Sequence, residues 1–363
     1  MPRLDRRFLA PGPDATKAAP RPLRRPAELA AAGLVRATDI APLEEVAARY
    51  AVAITPAMAE LIDPADRQDP IARQFVPDAA ELESAAGETP DPIGDDVHEV
   101  TAGLIHRYPD RVLLKLVQVC AVYCRFCFRR ETIGPDAAHL SPEALDAALR
   151  YVADHPEVWE VIVSGGDPLV ASPRRIAALM AALAEIDHVR VVRFHTRVPV
   201  VAPERINARL VAALKAEGKA TWVAIHANHP RELTPAARAA IGRLADAGIP
   251  LVSQTVLLAG VNDDPETLGA LMRGFVECRV KPYYLHHGDL APGTGHFRTT
   301  IARGQSLMRG LRGRYSGLCQ PTYVLDIPGG HGKSPVGPCY LVETEDGAEV
   351  EDWQGARHVY PGS

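Results

Sequence analysis

The sequence lacks the features expected of membrane, secreted or nucleic-acid-binding proteins. No apolar stretch approaches the roughly 20 residues that a membrane helix needs, and no hydrophobic segment follows the arginine-rich start. Six cysteines in 363 residues argue against the disulfide framework of short secreted domains. A formal net charge of -5 gives no general attraction for nucleic acid or anionic lipid. We therefore expect a cytoplasmic protein that binds small molecules and contacts neither nucleic acid nor membrane.

Composition divides the chain into four predicted regions. Residues 1–26 hold six Pro and seven Lys or Arg, which predicts a flexible tail; a basic partner-binding arm is the alternative. Residues 27–96 are predicted to be an N-terminal extension, helical over 27–62, followed by an acidic linker. Residues 78–100 carry eight acidic side chains and no Lys or Arg, which is typical of a solvated segment. The remaining regions are a barrel over 97–320 and a short C-terminal segment over 321–363.

From residue 111, short β-branched runs alternate with amphipathic helical stretches. Strands are predicted over residues 112–119, 158–163, 189–194, 220–225, 250–258 and 280–285, and the helix after the third strand over 203–217. Ser141, Ser172 and Thr234 each precede a proline, which is the pattern of a capping residue followed by first-turn proline. Six strand–helix units predict an α/β fold with parallel strands. Because eight units close an ordinary barrel, we expect a partial (βα)6 TIM-like barrel.

Three of the cysteines, Cys120, Cys124 and Cys127, lie in one short run. Thiolates at this spacing can bind three irons of a 4Fe-4S cluster and leave the fourth iron open to another ligand. Structural zinc is the weaker interpretation, because such sites normally have four protein ligands and no second cysteine pair follows. The run therefore favours a reactive iron–sulfur cluster.

Polar residues lie at the ends of successive predicted strands. They are the cysteine run, residues 164–167, residues 195–197, His226, Gln254, residues 286–289 and, after a last apolar run over 322–325, Asp326. In parallel barrels the active site lies at the carboxyl ends of the strands. We therefore expect one active site along this edge.

In combination these motifs resemble those of radical S-adenosylmethionine enzymes and, within them, the lysine 2,3-aminomutases. The resemblance spans about residues 97–340. It rests on the segment HRYPDR over 106–111, the cysteine run with Arg129 and Arg130, SGGD over 164–167, Asp289 with HFRT over 296–299, and DIPGGHGK over 326–333. It implies three cofactors: a 4Fe-4S cluster, S-adenosyl-L-methionine and pyridoxal 5'-phosphate.

The resemblance also implies a role for each matching residue. Cys120, Cys124 and Cys127 would bind the cluster, and the residues facing S-adenosylmethionine would be Ser164, Gly165, Gly166, Asp167, His226 and Gln254. Lys333 would be the catalytic residue that carries pyridoxal phosphate, whose phosphate and ring would be held by Arg107, Tyr108 and Arg111. Arg129 would bind the substrate α-carboxylate, and Asp289 and Asp326 the ε-ammonium of lysine.

Residue chemistry agrees with these roles but does not require them. Arginine suits planar carboxylates and phosphates, a buried ammonium needs anionic partners, and the glycines before Lys333 form a loop that could carry its amine into a site. Taken alone, however, SGGD is only a turn, His226 a histidine at a strand end, and Lys333 a surface lysine. Arg107 and Arg111 could equally be exposed charges before a strand.

The reaction implied is conversion of L-lysine to β-lysine by 2,3-amino migration, with a reducing electron donor such as flavodoxin or ferredoxin. Two alternatives are β-lysine formation on a translation factor and a non-catalytic iron–sulfur regulator. The Pro-Gly-Gly loop after Asp326 favours free lysine, and the joint presence of Lys333, Arg129 and both aspartates disfavours the regulator.

The sequence also departs from the family pattern. It ends at Ser363 without the family's zinc-binding cysteines, Asp264 stands where a further zinc cysteine would be, and His331 replaces a glycine. We therefore expect no structural zinc and a homodimer rather than a tetramer.

Overall fold

The computed structural model describes residues 21–135, 137, 139–345 and 347–362, so most of the predicted tail lies outside the described residues. Its centre is a ten-stranded sheet in which the strands lie in chain order. They are β1 (Glu99–Thr101), β2 (Leu104–Tyr108), β3 (Arg111–Val117), β4 (Glu160–Gly165), β5 (Val191–Thr196), β6 (Ala220–His226), β7 (Leu251–Val256), β8 (Lys281–His286), β9 (Thr322–Ile327) and β10 (Gly332–Pro335).

Strands β3 to β9 run parallel, whereas β1, β2 and β10 are antiparallel additions at the two ends. If the sheet were flat, β3 and β9 would be about 29 Å apart, at roughly 4.8 Å per strand. Side chains from all seven parallel strands nevertheless line one cavity. The sheet is therefore strongly curved, and the predicted partial barrel of six strand–helix units followed by a seventh strand is confirmed.

Helices connect the parallel strands. The helices of the chain are α1 (Pro26–Ala31), α2 (Ile40–Arg49), α3 (Pro56–Ala59), α4 (Pro70–Phe75), α5 (Pro142–Asp154), α6 (Pro173–Ala184), α7 (Val198–Val201), α8 (Ala208–Ala213), α9 (Pro235–Asp246), α10 (Pro265–Glu277) and α11 (Ile301–Leu311). Ser141, Ser172 and Thr234 cap α5, α6 and α9 through side-chain oxygens that accept backbone N–H groups at 3.1–3.2 Å. The predicted starts of these helices are confirmed. Apolar faces of the helices and strands form one continuous core.

The helix predicted over residues 203–217 is wrong in length. Pro203–Arg205 form a single tight turn, and α8 covers only six residues. Asn207 starts α8 by accepting the N–H of Leu210 at 3.1 Å, so the capping residue lies five positions later than the proline suggests.

The N-terminal extension contains three short helices over residues 27–62, broken where Gly33 has a φ of +74° and where Ile54 pairs with Leu23. The expectation that residues 78–100 are solvated is wrong for two of the acidic side chains, because Glu81 is fully buried and Asp95 is 7% exposed. Both carboxylates pair with arginines that follow β3 or belong to β2, and these partners explain their burial.

After β10 the chain forms a small antiparallel sheet of β11 (Leu341–Thr344), β12 (Gly347–Glu351) and β13 (Arg357–Pro361). No helix in the described ranges combines the length and apolar character needed to cross a membrane.

Candidate functional site

A cavity of about 500 Å³ is enclosed by the curved sheet. All sixteen residues singled out from the sequence line it: Cys120, Cys124, Cys127, Ser164, Gly165, Gly166, Asp167, His226, Gln254, Arg107, Tyr108, Arg111, Arg129, Asp289, Asp326 and Lys333. The fold therefore brings together residues that are up to 226 positions apart in the sequence.

The cysteine run lies in the loop after β3, beneath the N-terminal extension. Backbone bonds fix it there: the N–H of Tyr123 donates to the carbonyl of Ala53 at 3.1 Å, and that of Arg125 to the carbonyl of Gln74 at 2.9 Å. Burial raises the pKa of all three thiols, that of Cys127 to about 11. The thiols are consequently protonated at neutral pH, and metal binding must release those protons.

The donor set fits an iron–sulfur cluster. Three soft sulfur ligands share one cavity wall, whereas Cys278 and Cys319 are buried elsewhere and Cys339 is exposed. Three protein ligands would leave one iron of a four-iron cluster free for another ligand.

The glycines after β4 allow a close approach of backbone to backbone. Gly165 has a φ of +107°, and a Cβ placed on it would lie 2.3 Å from the carbonyl oxygen of Val117; a Cβ on Gly166 would lie 2.3 Å from that of Val119. From the family resemblance, both glycines were expected to face S-adenosylmethionine. The structure shows that they first make room for the chain leading to the cysteines.

Asp167 is already fully hydrogen-bonded. Its carboxylate accepts the Thr196 hydroxyl at 2.7 Å and the backbone N–H groups of Leu169, Arg197 and Val198 at 2.6–3.1 Å. Four bonds fill the approximately four acceptor positions of a carboxylate. These bonds leave Asp167 no free acceptor position for S-adenosylmethionine, and its carboxylate instead fixes the end of β5.

Two histidines offer unsatisfied nitrogens to the cavity. The Nε2 atoms of His226 and of His195 are buried without a hydrogen-bond partner, and their ring centroids lie 6.0 Å apart. Burial lowers the pKa of His226 to about 3 and that of His195 well below its usual value, so both rings are neutral. Buried polar atoms without partners are uncommon in proteins and here fit a bound polar ligand such as S-adenosylmethionine.

Lys333 lies on β10 directly opposite Asp326 on β9, and not in a loop as the glycines suggested. Its Nζ atom is 2.6 and 2.7 Å from the two oxygens of Asp326, and its backbone N–H donates to the Tyr108 hydroxyl at 2.8 Å. The short strand therefore delivers the amine into the cavity in a fixed direction.

The two aspartates differ in charge. Burial opposes ionisation of Asp326, but His286, whose Nδ1 lies 3.6 Å from a carboxylate oxygen, and the Lys333 ammonium outweigh it and lower the pKa of Asp326. Burial, reinforced by the charge of Asp326, raises the pKa of Asp289 to about 7. Asp326 is thus ionised at neutral pH, whereas Asp289 titrates near neutrality.

Asp95 was not expected in the site. It accepts hydrogen bonds from Arg129 at 2.7 and 3.2 Å and from Arg107 at 2.9 Å, so it joins the arginine assigned to the substrate carboxylate to one assigned to the cofactor phosphate. Arg107 also donates to the carbonyls of Ile93 and Gly94. The only sequence signal for Asp95 was its place as an acidic residue in a segment without basic neighbours.

Arg111 lies above the ring of Tyr108, with 3.8 Å between guanidinium carbon and ring centroid, and also pairs with Asp110 at 2.6 Å. Gln254 is opposite His226 in the pairing of β6 with β7.

Ser164 and Gly165 face Arg129, whose Nη1 is 3.5 Å from the Ser164 hydroxyl and from the Gly165 carbonyl oxygen. His286 and Arg197 line the cavity as well and were noted in the sequence only as strand-end residues.

Comparison with known proteins gives a consistent result. Residues 114–271 match the model of the radical SAM superfamily, and residues 308–362 match the model named lysine-2,3-aminomutase. The chain is 43% identical to L-lysine 2,3-aminomutase of Clostridium subterminale over 85% of its own length and 74% of that protein. It is 45% identical to L-lysine 2,3-aminomutase of Acetoanaerobium sticklandii (80% and 70%) and 37% identical to glutamate 2,3-aminomutase of Clostridioides difficile (86% and 74%).

Proposed function

Because the chain belongs to the lysine 2,3-aminomutase family of radical S-adenosylmethionine enzymes, we propose that it converts free L-lysine to β-lysine by moving the 2-amino group to carbon 3. The observation that carries the choice of substrate is the pair of carboxylates, Asp289 and Asp326, in the same cavity as Arg129. A substrate with a carboxylate at one end and an ammonium at the other would satisfy both. A second carboxylate in place of the ammonium would be repelled.

The family's cofactors have matching residues in the cavity. Cys120, Cys124 and Cys127 would hold the 4Fe-4S cluster, and S-adenosylmethionine would lie between it and the group Ser164, Gly165, Gly166, His226 and Gln254. Lys333 would hold pyridoxal phosphate, with Arg107, Tyr108 and Arg111 around the phosphate and ring. When bound, the cluster and S-adenosylmethionine supply a hydrogen-abstracting radical, and pyridoxal phosphate supplies a ring that stabilises the migrating radical.

The chain's own residues position the substrate and exclude water. Arg129, held from behind by Asp95, would turn its remaining N–H groups to the α-carboxylate. Asp326 would exchange the amine of Lys333 for the substrate ammonium once Lys333 is engaged by the cofactor. The curved sheet and its helices would keep the reacting carbon away from solvent.

Several finer assignments accompany this proposal. A reducing donor such as flavodoxin or ferredoxin would supply the electron, and a cytoplasmic location suits six cysteines that are all free thiols. Asp264 caps α10 by accepting the N–H of Thr267 at 2.8 Å, a role that does not involve zinc. We also propose a homodimer, for which exposed apolar residues of the C-terminal sheet, including Val359 and Tyr360, offer a surface. Light scattering tests the homodimer, and zinc analysis tests the expected lack of structural zinc.

The substrate is tested with anaerobically reconstituted protein supplied with reductant, S-adenosylmethionine and pyridoxal phosphate. Free lysine, ornithine, glutamate and a lysine-bearing translation factor are compared by kcat/KM, with β-amino acid products separated by chromatography. We expect free lysine to give the highest value. Preference for glutamate would contradict the charge argument, turnover only of the protein substrate would favour the modification reaction, and absence of all turnover with a full cluster would favour a regulator.

A further inference from the structure

Arg197 makes a direct contact with one of the cluster cysteines. It follows β5, its side chain is 8% exposed, and its Nη1 atom lies 2.9 Å from the sulfur of Cys124. Its guanidinium carbon is also 4.7 Å from the ring centroid of Phe75 and 5.3 Å from that of Phe126. A charged donor is therefore already aimed at a sulfur that would bind iron.

The guanidinium is held from the opposite side. Its Nη2 donates to the side-chain oxygens of Gln74 and Glu232, both at 2.6 Å. Glu232 in turn accepts the backbone N–H groups of Asn228 and His229 at 2.9 Å and the Gln74 amide at 3.1 Å. Because every neighbour in this set is buried or bonded to another, Arg197 cannot swing away without breaking several hydrogen bonds.

We propose that Arg197 is a positioning residue that sets the reduction potential of the cluster through Cys124, an inference that rests on the cluster-binding part of the proposed function. A hydrogen bond to a cysteine sulfur withdraws electron density from the bound iron, and a nearby positive charge favours the reduced, more negative cluster. Both effects raise the potential. Glu232 partly offsets the positive charge of Arg197 and so reduces the rise in potential. The hydrogen bond to Cys124 is specific to that sulfur.

A purely structural role is the competing explanation, since Arg197 also joins β5 to the N-terminal helix α4 through Gln74. The two explanations differ in what they predict for a variant that keeps its cluster. A cross-link would affect folding and iron content, whereas tuning would move the potential at full iron content.

The test uses anaerobically reconstituted full-length protein and a redox titration followed by electron paramagnetic resonance. The variants are Arg197→Gln, which retains a neutral donor, and Arg197→Met, which retains neither charge nor donor. Arg205→Met is the matched control, because the side chain of Arg205 donates only to the carbonyls of Leu169 and Val170 within the described residues. Iron per chain is measured for each protein before titration.

For Arg197→Met we expect the one-electron reduction equilibrium to fall about tenfold, a shift of about 59 mV to lower potential. Arg197→Gln should lie between this variant and the parent, and Arg205→Met should match the parent. An unchanged potential in Arg197→Met at full iron content would overturn the proposal. If the parent itself binds no cluster, the proposed function fails instead, which iron analysis reveals separately.

A second variant decides the matter if Arg197→Met loses its cluster. Glu232→Gln keeps Arg197 and removes the opposing negative charge, so it should raise the potential. A potential equal to or below that of the parent in this variant, with iron retained, would also overturn the proposal.

Discussion

The cysteine side and the lysine side of the cavity balance their charges differently. Behind the cysteine run, Arg197 pairs with Glu232, and Arg125 and Arg130 pair with Glu81; all five side chains are buried, and Arg197 alone among them lines the cavity. On the other side the partners are themselves cavity groups: Lys333 pairs with Asp326. A cluster can therefore be added without breaking these pairs, whereas the cofactor and substrate on the lysine side must replace an internal contact.

The largest expected effect is the loss of iron when a cysteine of the run is replaced. Cys120→Ala, Cys124→Ala or Cys127→Ala should lower iron from about four per chain to a fraction of that and abolish turnover, because two thiolates cannot retain the cluster. Iron analysis and electron paramagnetic resonance after anaerobic reconstitution measure this. Cys339→Ala, at an exposed position outside the cavity, is the control. Full iron in a triple variant of the cysteine run would disprove the ligand assignment.

The next effect concerns Lys333. Borohydride reduction of the enzyme with pyridoxal phosphate should place the stable adduct on Lys333, and Lys333→Ala should lower turnover by more than roughly a thousandfold, because the cofactor loses its covalent anchor. Peptide mass mapping locates the adduct. Lys281→Ala is a suitable control, since the side chain of Lys281 donates only to the carbonyls of Leu318 and Gln320 within the described residues. An adduct on a different lysine would refute this assignment.

A smaller effect is expected for the substrate carboxylates. Asp326→Asn should lower kcat/KM for lysine by about two orders of magnitude, as expected when roughly 3 kcal/mol of charge-assisted binding is lost. Asp246→Asn, at an exposed ion pair, is the control. Steady-state kinetics on cluster-replete protein separate this effect from cofactor loss. Turnover of lysine by Asp326→Asn at the parent rate would leave the substrate assignment without support.

The smallest expected effect is the pH dependence of lysine binding that results from titration of Asp289. Because burial raises its pKa to about 7, the carboxyl is neutral below that pH and must lose a proton before it can pair with an ammonium. Lysine binding should therefore weaken as pH falls from 8 to 6, with a limiting slope of about tenfold per unit below 7, and should release a proton at pH 6. Calorimetry in two buffers measures the release. The proton release should vanish in Asp289→Asn; its persistence there would assign it to another group.

The sequence predicted features whose signals are local. Strand ends carrying polar residues, and Ser or Thr before Pro at Ser141, Ser172 and Thr234, were sufficient for the barrel and for the position of its active site. Residues away from the strand ends, such as Arg107 and Lys333, were assigned only through the family resemblance. Asp95 was missed because its partners are 12 and 34 positions away and no local pattern marks the contact. The contact of Arg197 with Cys124 spans 73 positions and depends on the curvature of the sheet. The short strand β10 was read as a loop because glycines dominate its approach, although pairing with β9 overrides their weak strand preference.

The β9–β10 hairpin also makes the number of residues in its turn as important as their identity. Asp326 and Lys333 face each other because four residues of turn separate Ile327 from Gly332, with Gly329 and Gly330 at φ values of +82° and +86°. Side chains alternate between faces along a strand, so removing one turn residue would place Ser334 opposite Asp326, and adding one would place Gly332 there. Neither residue has an amine. The turn can therefore vary in composition, but a change of one residue in its length that shifts the pairing register would remove the amine from the site without altering any residue that lines it.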